Sequence, residues 1–322
     1  MWGLPVLFPD FTATAPSGRQ ICYLLGLNNP CRRNILRILL LGSDSPLGRA
    51  LGEFLAETGR HEVTTVTWSA SRWKSERQAK KAIRRVKAEL VVDIRIEAVA
   101  DSGQEIGELD LKRSHWVAKC CQRDGAAHFF VSSARVFSGK LDRMYNEEDI
   151  PDSEEGVGQL LAAAEQVVRE NCERHLILRL GPVFASDGPN LVTQMLADMT
   201  KGENLVLDNN LRGCPVSSGD GARVVSAIID QLSTGAELWG FYHYCSSETS
   251  TYYEFAESVL AASSQFSDFS PDAVELQQLA ADTPSLNRSL ECSKIRNTFA
   301  IKQLPWRNTI GDMVKQYYEQ QA

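Results

Sequence analysis

An apolar segment, a glycine-containing turn and an amphipathic helix follow one another early in the chain, and this order constrains the fold most strongly. Residues 36–41 are almost continuously apolar and predict a buried strand. Gly42 and Gly48 lie in the turn that follows, and apolar residues recur at helical spacing from Leu47 to Leu55. A strand, a tight turn and a helix in this order are typical of the first βαβ unit of a parallel sheet.

Strands and helices are predicted to alternate along the next part of the chain. Strands are predicted at 63–68, 90–94, 128–131 and 176–180, and helices at 75–87, 109–123 and 157–171. This alternation predicts the α/β class, with a Rossmann-like, doubly wound parallel sheet that carries helices on both faces.

The rest of the chain mixes short strands, helices and turns, which predicts a smaller C-terminal lobe. We assign residues 36–185 and about 214–245 to the sheet domain, and about 186–213 and 246–322 to the lobe. Residues 1–35 hold four prolines and show no sustained periodicity. We therefore expect them to be an extension that is disordered or dispensable for folding.

Composition narrows the functional classes. The formal net charge is −7, and no basic stripe interleaved with aromatic residues is present, so nucleic acid is an unexpected partner. No apolar run approaches the roughly 20 residues that cross a bilayer, so no membrane association is expected. Eight cysteines are scattered without a CxxC pair, which favours reduced thiols in a cytoplasmic protein. The acidic run at 146–155 lacks the spacing of a metal site and is interpreted as a solvated loop.

The turn at 42–48 is a candidate dinucleotide site, because a helix N-terminus can bind a pyrophosphate through its backbone N–H groups and its dipole. The predicted contacts are Gly42, Ser45, Pro46, Leu47 and Gly48. Ser45 stands where the usual pattern has its middle glycine, and its Cβ is expected to crowd a dinucleotide. The alternative is a tight βα turn without a ligand.

The end of the second predicted strand indicates which dinucleotide is preferred. It carries no Asp or Glu to hold an adenosine ribose, whereas Arg72 follows shortly and suits a 2′-phosphate. If a cofactor binds, NADP is therefore favoured over NAD.

Four stretches resemble a known family in their order and spacing. They are VSSARVF at 131–137, LRLGPVF at 178–184, GCPVS at 213–217 and GFYHY at 240–244. On these stretches the chain from about residue 36 to 319 resembles dTDP-4-dehydrorhamnose reductase and its relatives. These are the extended short-chain dehydrogenases that include the regulatory β subunit of methionine adenosyltransferase. The resemblance implies that the sheet domain binds NAD(P) and that the lobe binds the substrate.

The resemblance also implies a catalytic tyrosine and, four residues later, a lysine that lowers the pKa of the phenol. By alignment these two residues should stand at Val157 and Leu161, and no tyrosine of this chain has a lysine four residues on. Ser133 matches the family's assisting hydroxyl and would be vestigial. Ser132 and Asp93 fall at implied cofactor contacts, but Asp93 begins the sequence that replaces the family's asparagine-alanine-alanine turn.

Arg212, Asn287 and Arg288 are candidate contacts for a sugar-nucleotide phosphate, since guanidinium groups suit phosphate; plain surface arginines are an equal alternative. The leading prediction is a binding or regulatory protein that takes a nucleotide or sugar-nucleotide ligand, has a protein partner or forms a homodimer, and does not act as a reductase. The alternative is an active NADP-dependent reductase that uses another proton donor, such as Tyr145 or an ordered water. A structural subunit without a ligand is the third interpretation.

Overall fold

The computed structural model describes residues 34–97, 106–202, 204–266, 274–278 and 285–321. The described residues from Ile35 onward belong to one compact unit. The prediction for the N-terminal extension lies, apart from its last residues, outside the described ranges. The predicted boundary between sheet domain and lobe stays a prediction.

The described elements follow the alternation that the sequence predicts. The strands are β1 (Arg37–Leu41), β2 (Glu62–Val66), β3 (Leu90–Asp93), β4 (Ala127–Ser133), β5 (His175–Leu180), β6 (Val183–Phe184), β7 (Leu205–Leu207), β8 (Leu211–Gly213), β9 (Val216–Ser217), β10 (Gly240–Tyr244), β11 (Ser250–Thr251), β12 (Leu276–Gln278) and β13 (Leu286–Asn287). The helices are α1 (Pro46–Thr58), α2 (Glu76–Val86), α3 (Glu108–Asp124), α4 (Gly156–Asn171), α5 (Leu191–Thr200), α6 (Ser218–Leu232), α7 (Tyr252–Ser263), α8 (Ser293–Phe299) and α9 (Arg307–Gln321).

Six parallel strands form the central sheet in the order β2-β1-β3-β4-β5-β10. The chain leaves β1 for β2 on one side and returns to β3 on the other, so the strand order reverses beside β1. In open α/β sheets, ligands bind outside the carboxyl ends of the strands at such a reversal. The predicted doubly wound parallel sheet is confirmed, and the turn at 42–48 lies at this point.

The continuous apolar run of β1 is explained by burial on both faces of the sheet. Ile38 and Leu40 pack in one apolar layer with Leu51 of α1, whereas Leu39 packs in the opposite layer with Ile83 of α2. Successive side chains of a strand point to opposite faces, so both alternating sets must be apolar here.

The shorter strands pair as β11-β8-β13, β12-β7 and β6-β9. Residues of α5, α7 and α9 share an apolar cluster of their own around Phe184, Phe255 and Trp306. Gly181 donates to the carbonyl of Tyr244 (3.0 Å) and Val216 to that of Pro182 (2.8 Å), so these smaller elements continue from the carboxyl ends of β5 and β10. A cleft forms where they meet the sheet. Among the described helices, none combines the length and the apolar character needed to cross a bilayer.

Candidate functional site

The turn between β1 and α1, residues 42–48, is termed the dinucleotide turn. Gly42 has φ +86°, a conformation that L side chains rarely adopt. A Cβ built on Gly48 would lie 2.1 Å from the carbonyl oxygen of Gly42, so only glycine lets α1 approach the end of β1 this closely. The backbone shape that the sequence predicts is therefore present.

The polar groups of the dinucleotide turn are largely bonded to one another. The Ser45 hydroxyl accepts from the Gly48 N–H (3.0 Å) and donates to the Gly42 carbonyl (2.9 Å). Pro46 opens α1 and has no N–H. Of the first three helical residues, Leu47 is thus the one whose N–H is neither missing nor used by Ser45. The turn therefore offers a diphosphate fewer free N–H donors than a helix N-terminus normally does.

The end of β2 leads to a small cavity beside the dinucleotide turn. Arg72 is exposed, and its guanidinium carbon lies 4.7 Å from the ring centroid of Trp68. Together with Arg95 and Arg113 these residues line a cavity of about 10 Å³, far smaller than the usual ligand pocket. Arg72 is accessible to a 2′-phosphate, and its role stays a prediction. An adenosine would require the surrounding side chains to move.

Asp93, at the end of β3, is fully buried and is bonded within the protein. Its carboxylate accepts two hydrogen bonds from the Arg95 guanidinium, at 2.8 and 2.7 Å. Burial alone would raise the pKa of Asp93, but the charge and hydrogen bonds of Arg95 outweigh it and hold the pKa well below its usual range. This carboxylate serves the Arg95 pair, so a direct contact with a cofactor would have to break that pair.

Ser132 lies in a second buried polar network. Its hydroxyl donates to Glu165 (2.6 Å), and Glu165 also accepts two bonds from Arg179, at 2.9 and 2.7 Å. His243 lies 3.3 Å from the same guanidinium, and burial, with the charge of Arg179, lowers the pKa of His243 to about 3. The imidazole is therefore neutral at physiological pH and helps to hold β4, β5 and β10 together.

Helix α4 carries the two positions at which the resemblance implies tyrosine and lysine. Leu161 is 0% exposed and Val157 is half-buried, and both belong to the main apolar cluster or pack against it. A Cβ on Gly158 would lie 2.2 Å from the carbonyl oxygen of Arg135, so α4 sits tightly on the short 3-10 turn Ala134–Val136. Neither side chain can donate a proton or carry a charge.

The cleft at the carboxyl ends of the strands encloses a cavity of about 50 Å³, so a ligand of nucleotide size would extend beyond it or require its lining to open. Its lining combines hydroxyl groups, guanidinium groups and apolar side chains with some small residues. These residues are Ser133, Ala134, Arg135, Pro182, Leu191, Leu211, Arg212, Gly213, Pro215, Ser250, Thr251, Tyr252, Phe255 and Arg288.

The cleft brings together three of the residues predicted from sequence, namely Ser133, Arg212 and Arg288. Asn287 lies on the adjoining strand β13 and is not part of the lining; its side-chain oxygen accepts from the Ser289 N–H (3.0 Å). Arg212 lies 3.2 Å from Glu254. Arg288 pairs with Glu155, and its buried Nε has no hydrogen-bond partner within the described part of the chain.

Arg135 and Tyr252 are among the residues of the cleft that were not predicted as ligand contacts. Arg135 lies in the stretch at 131–137 that resembles the family, and its backbone N–H donates to the Ser133 hydroxyl (3.3 Å). Tyr252 begins α7 beside the Thr251 cap. Tyr145, the proton donor suggested for an active reductase, is instead 1% exposed, stacks on Phe137 with ring centroids 4.1 Å apart and accepts from the Gly139 N–H. The phenol that lines the cleft belongs to Tyr252.

Known proteins match this chain over nearly the whole fold. Residues 36–319 match the model of the RmlD substrate binding domain. A dTDP-4-dehydrorhamnose reductase of Aggregatibacter actinomycetemcomitans is 25% identical over 293 residues, which are 86% of this chain and 98% of the relative.

Solved structures of low identity match the fold. A dTDP-4-dehydrorhamnose reductase of Clostridium acetobutylicum has a TM-score of 0.73 at 18% identity, covering 86% of this chain and 98% of its own. The Bacillus anthracis enzyme, solved in complex with NADP, has a TM-score of 0.71 at 17% identity, covering 89% of this chain and 99% of its own. Since the family model spans well over half of the sequence, the chain belongs to the RmlD substrate-binding domain family.

Proposed function

We propose that this protein binds a sugar nucleotide in the cleft without reducing it. The observation that carries the proposal is the apolar pair at the family's proton-relay positions: Val157 is half-buried and Leu161 is fully buried. General acid–base catalysis typically contributes about 10² to 10⁴-fold, and these side chains supply none of it. The cleft, in contrast, keeps the hydroxyl and guanidinium groups that bind a polar, anionic ligand.

This chain would offer some of the contacts that NADP needs but lacks the groups that complete proton transfer. The NADP of the Bacillus anthracis structure and the shape of the dinucleotide turn support Gly42, Leu47 and Gly48 as the residues that would hold a diphosphate, with Arg72 at a 2′-phosphate. A bound nicotinamide would supply a hydride. Ser133 would offer its hydroxyl to a substrate carbonyl, but this chain places neither a tyrosine nor a lysine on α4 to complete the proton transfer. Binding and turnover are thereby separated.

Such a protein would act as a ligand-binding or regulatory protein, through a protein partner or as a homodimer. Instead of reducing a carbonyl group, the protein would respond to its ligand by a change in its own stability or in its affinity for a partner. A ligand that binds only the folded state stabilises that state.

The test is a melting panel of NADP, NAD and dTDP-linked sugars, run beside an assay of NADPH oxidation with a dTDP-4-keto-6-deoxy sugar. We expect dTDP-sugars to raise the melting temperature while NADPH oxidation stays at background. Arg212→Gln should weaken sugar-nucleotide binding about tenfold, because a charged hydrogen bond to phosphate is lost. Arg84→Gln is the matched control, since Arg84 is a similarly exposed arginine paired with Asp124 on the distant face of α2 and α3. The absence of any stabilisation by sugar nucleotides would reject the proposal.

Tyr252 favours a second candidate, an active reductase with a relocated proton donor, because its phenol lines the same cleft as Ser133. On this view wild-type turnover would approach the median enzyme value of about 10 s⁻¹. Tyr252→Phe would then lower kcat about 10² to 10⁴-fold with little change in sugar-nucleotide affinity. Turnover at background in the wild type excludes this candidate.

A further inference from the structure

Helix α2 carries a concentration of positive charge that the rest of the chain does not share. Residues 76–87 hold six basic side chains and one carboxylate, a net charge of +5, whereas the whole chain has a formal net charge of −7, so the other residues together carry −12. The basic side chains are Arg77, Lys80, Lys81, Arg84, Arg85 and Lys87. All of them are exposed except Lys80, which is half-buried. This surface therefore attracts anions although the protein as a whole is anionic.

Most of these positive charges are not used inside the protein. Arg84 pairs with Asp124 at 2.9 Å, and the five other cations form no ion pair among the residues that the structure describes. The apolar side of the helix is already packed, since Ala79 and Ile83 are buried in the core layer beneath it. Core packing thus occupies one side of α2, and the opposite, basic side faces solvent.

The stability of α2 itself does not explain the basic side chains. Arg84 and Arg85 lie in the last turn, where cations interact favourably with the helix dipole. Arg77 lies in the first turn, where a cation is unfavourable. Arg77, Lys81 and Arg85 also follow one another at a spacing of four residues, at which like charges repel across a helix face. An anionic partner would relieve this repulsion.

The shape of the basic surface favours a narrow partner. The helix has 11 residues and is therefore about 16 Å long. Carboxylates border it: Glu76 opens the helix, Glu89 follows shortly after its end, and Asp124 lies beside its last turn. A bilayer or a nucleic-acid duplex is broader than one helix and would bring its phosphates towards these carboxylates. The exposed residues of α2 are all polar or charged, so the helix offers no apolar anchor to a lipid surface.

An extended acidic peptide matches the spacing of the cations. Arg77, Lys81 and Arg85 are each separated by four residues, which is about 6 Å along a helix axis. Alternate residues of an extended chain point to the same side and lie about 6.6 to 6.8 Å apart. Carboxylates at every second residue can therefore meet the three cations in turn. We propose that the basic side of α2 is a docking surface for an extended acidic segment of a partner protein. This surface shares no residue with the cleft, so the proposal does not depend on the proposed function.

The test uses a fluorescein-labelled peptide in which Glu alternates with Ser, with fluorescence anisotropy measured on the full chain. We expect binding at low salt that weakens as the salt concentration rises, and no binding of the peptide that has Gln in place of Glu. A variant that combines Arg77→Gln, Lys81→Gln and Arg85→Gln should bind at least about tenfold more weakly, since three exposed ion pairs are lost. Its melting temperature should equal or exceed that of the wild type, because the substitutions remove repulsion.

The matched control combines Arg169→Gln, Lys302→Gln and Lys315→Gln. It removes the same number of exposed cations from other parts of the chain and should change the affinity less than about twofold. If the α2 variant does not fold, Lys81→Gln alone is titrated and should weaken binding about two- to fivefold.

Three outcomes would overturn the proposal. If the Glu peptide does not bind the wild type, or if the α2 variant and the control lose affinity equally, α2 is not a docking surface. Vesicles of three parts phosphatidylcholine to one part phosphatidylserine and a DNA duplex are titrated in parallel, at equal concentrations of anionic charge. If either binds more tightly than the peptide and loses this binding in the α2 variant, the partner is not an acidic protein segment.

Discussion

The dinucleotide turn and the cleft lie at the same edge of the sheet but use their polar groups in opposite ways. In the turn, Ser45 bonds Gly42 and Gly48, and Asp93 bonds Arg95, so donors and charges are satisfied inside the protein. In the cleft, Arg212 and Arg288 pair with carboxylates that are partly exposed, among the residues that the structure describes. A ligand gains most where it replaces weak partners, and least where it must break buried bonds. The cleft is therefore better prepared for its ligand than the turn is for a dinucleotide.

The proposed function requires that one part of the family site is lost while another stays, and the same contrast explains how this is possible. A proton relay needs a phenol and a cation that face the ligand, and α4 instead presents Val157 and Leu161 to apolar neighbours. These side chains strengthen the packing of α4 on the sheet. Much of the cleft lining comes from β8, α7 and the residue after β13, which lie outside α4, so on the proposed function ligand binding can persist without the relay.

The largest effect is expected from placing a charge at the buried position 161 of α4. Leu161→Lys places an ammonium group at a position that is 0% exposed, where an uncompensated charge costs about 3 to 5 kcal/mol. Leu161→Met is the matched control and should cost less than about 1.5 kcal/mol, since it conserves volume and polarity. Urea unfolding of both variants measures the difference. If Leu161→Lys unfolds at the wild-type midpoint, position 161 faces a wet, cofactor-accessible site and the contrast between the regions is broken.

A somewhat smaller effect is expected at the buried pair behind the dinucleotide turn. Asp93→Asn leaves the Arg95 guanidinium, in a side chain that is 5% exposed, without its countercharge, which should cost about 3 kcal/mol. The pKa of Asp93 is lower in the folded state than its unfolded value of about 3.9. Its contribution is therefore complete above about pH 4 to 5 and is lost as the pH falls below that value.

Melting curves between pH 7 and pH 3 test this linkage. The gap in melting temperature between wild type and Asp93→Asn should stay constant from pH 7 to about pH 5 and narrow below about pH 4, because the Asp93 carboxyl of the unfolded wild type takes up a proton there while the folded-state carboxylate stays charged. A gap that widens on acidification would contradict a lowered pKa. If wild type and Asp93→Asn melt at the same temperature at every pH, the Asp93–Arg95 pair does not stabilise the folded protein.

The sheet could be predicted from sequence because its signals are local. The run at 36–41 is apolar on both alternating faces, and Gly42 and Gly48 mark a turn that only glycine permits. The observed β1 and α1 begin and end within a few residues of the predicted bounds. These features depend on neighbours in the chain, so no tertiary information was needed.

The site was predicted less completely, since its residues come from distant segments. Arg212 and Arg288 were identified because guanidinium chemistry is recognisable by itself, but Arg135, which follows β4, and Tyr252, which begins α7, come together only in the folded chain. Tyr145 could not be excluded as a donor from sequence, because its burial against Phe137 depends on a loop fold without a periodic signal. The hydrogen bonds that Ser45 and Asp93 form within the protein could not be predicted either. A motif specifies residue types but not which donors and acceptors are already hydrogen-bonded.

The smallest effect is expected from freeing a donor in the dinucleotide turn. Ser45→Gly removes the hydroxyl that accepts from the Gly48 N–H and restores the glycine of the usual pattern. Replacing a helix cap by glycine costs only a few tenths of a kcal/mol, so the fold should be retained. We expect NADP to bind about tenfold more tightly, because one recovered hydrogen bond to a charged phosphate is worth at least about 1.4 kcal/mol.

Ser43→Gly is the matched control, since it makes the same change in the same turn without removing the α1 cap, and it should leave NADP affinity unchanged. Calorimetric titration with NADP measures both variants. A gain of equal size in both would trace the effect to turn flexibility, whereas no gain in Ser45→Gly would show that Pro46 and the buried Asp93–Arg95 pair, and not the serine, limit dinucleotide binding.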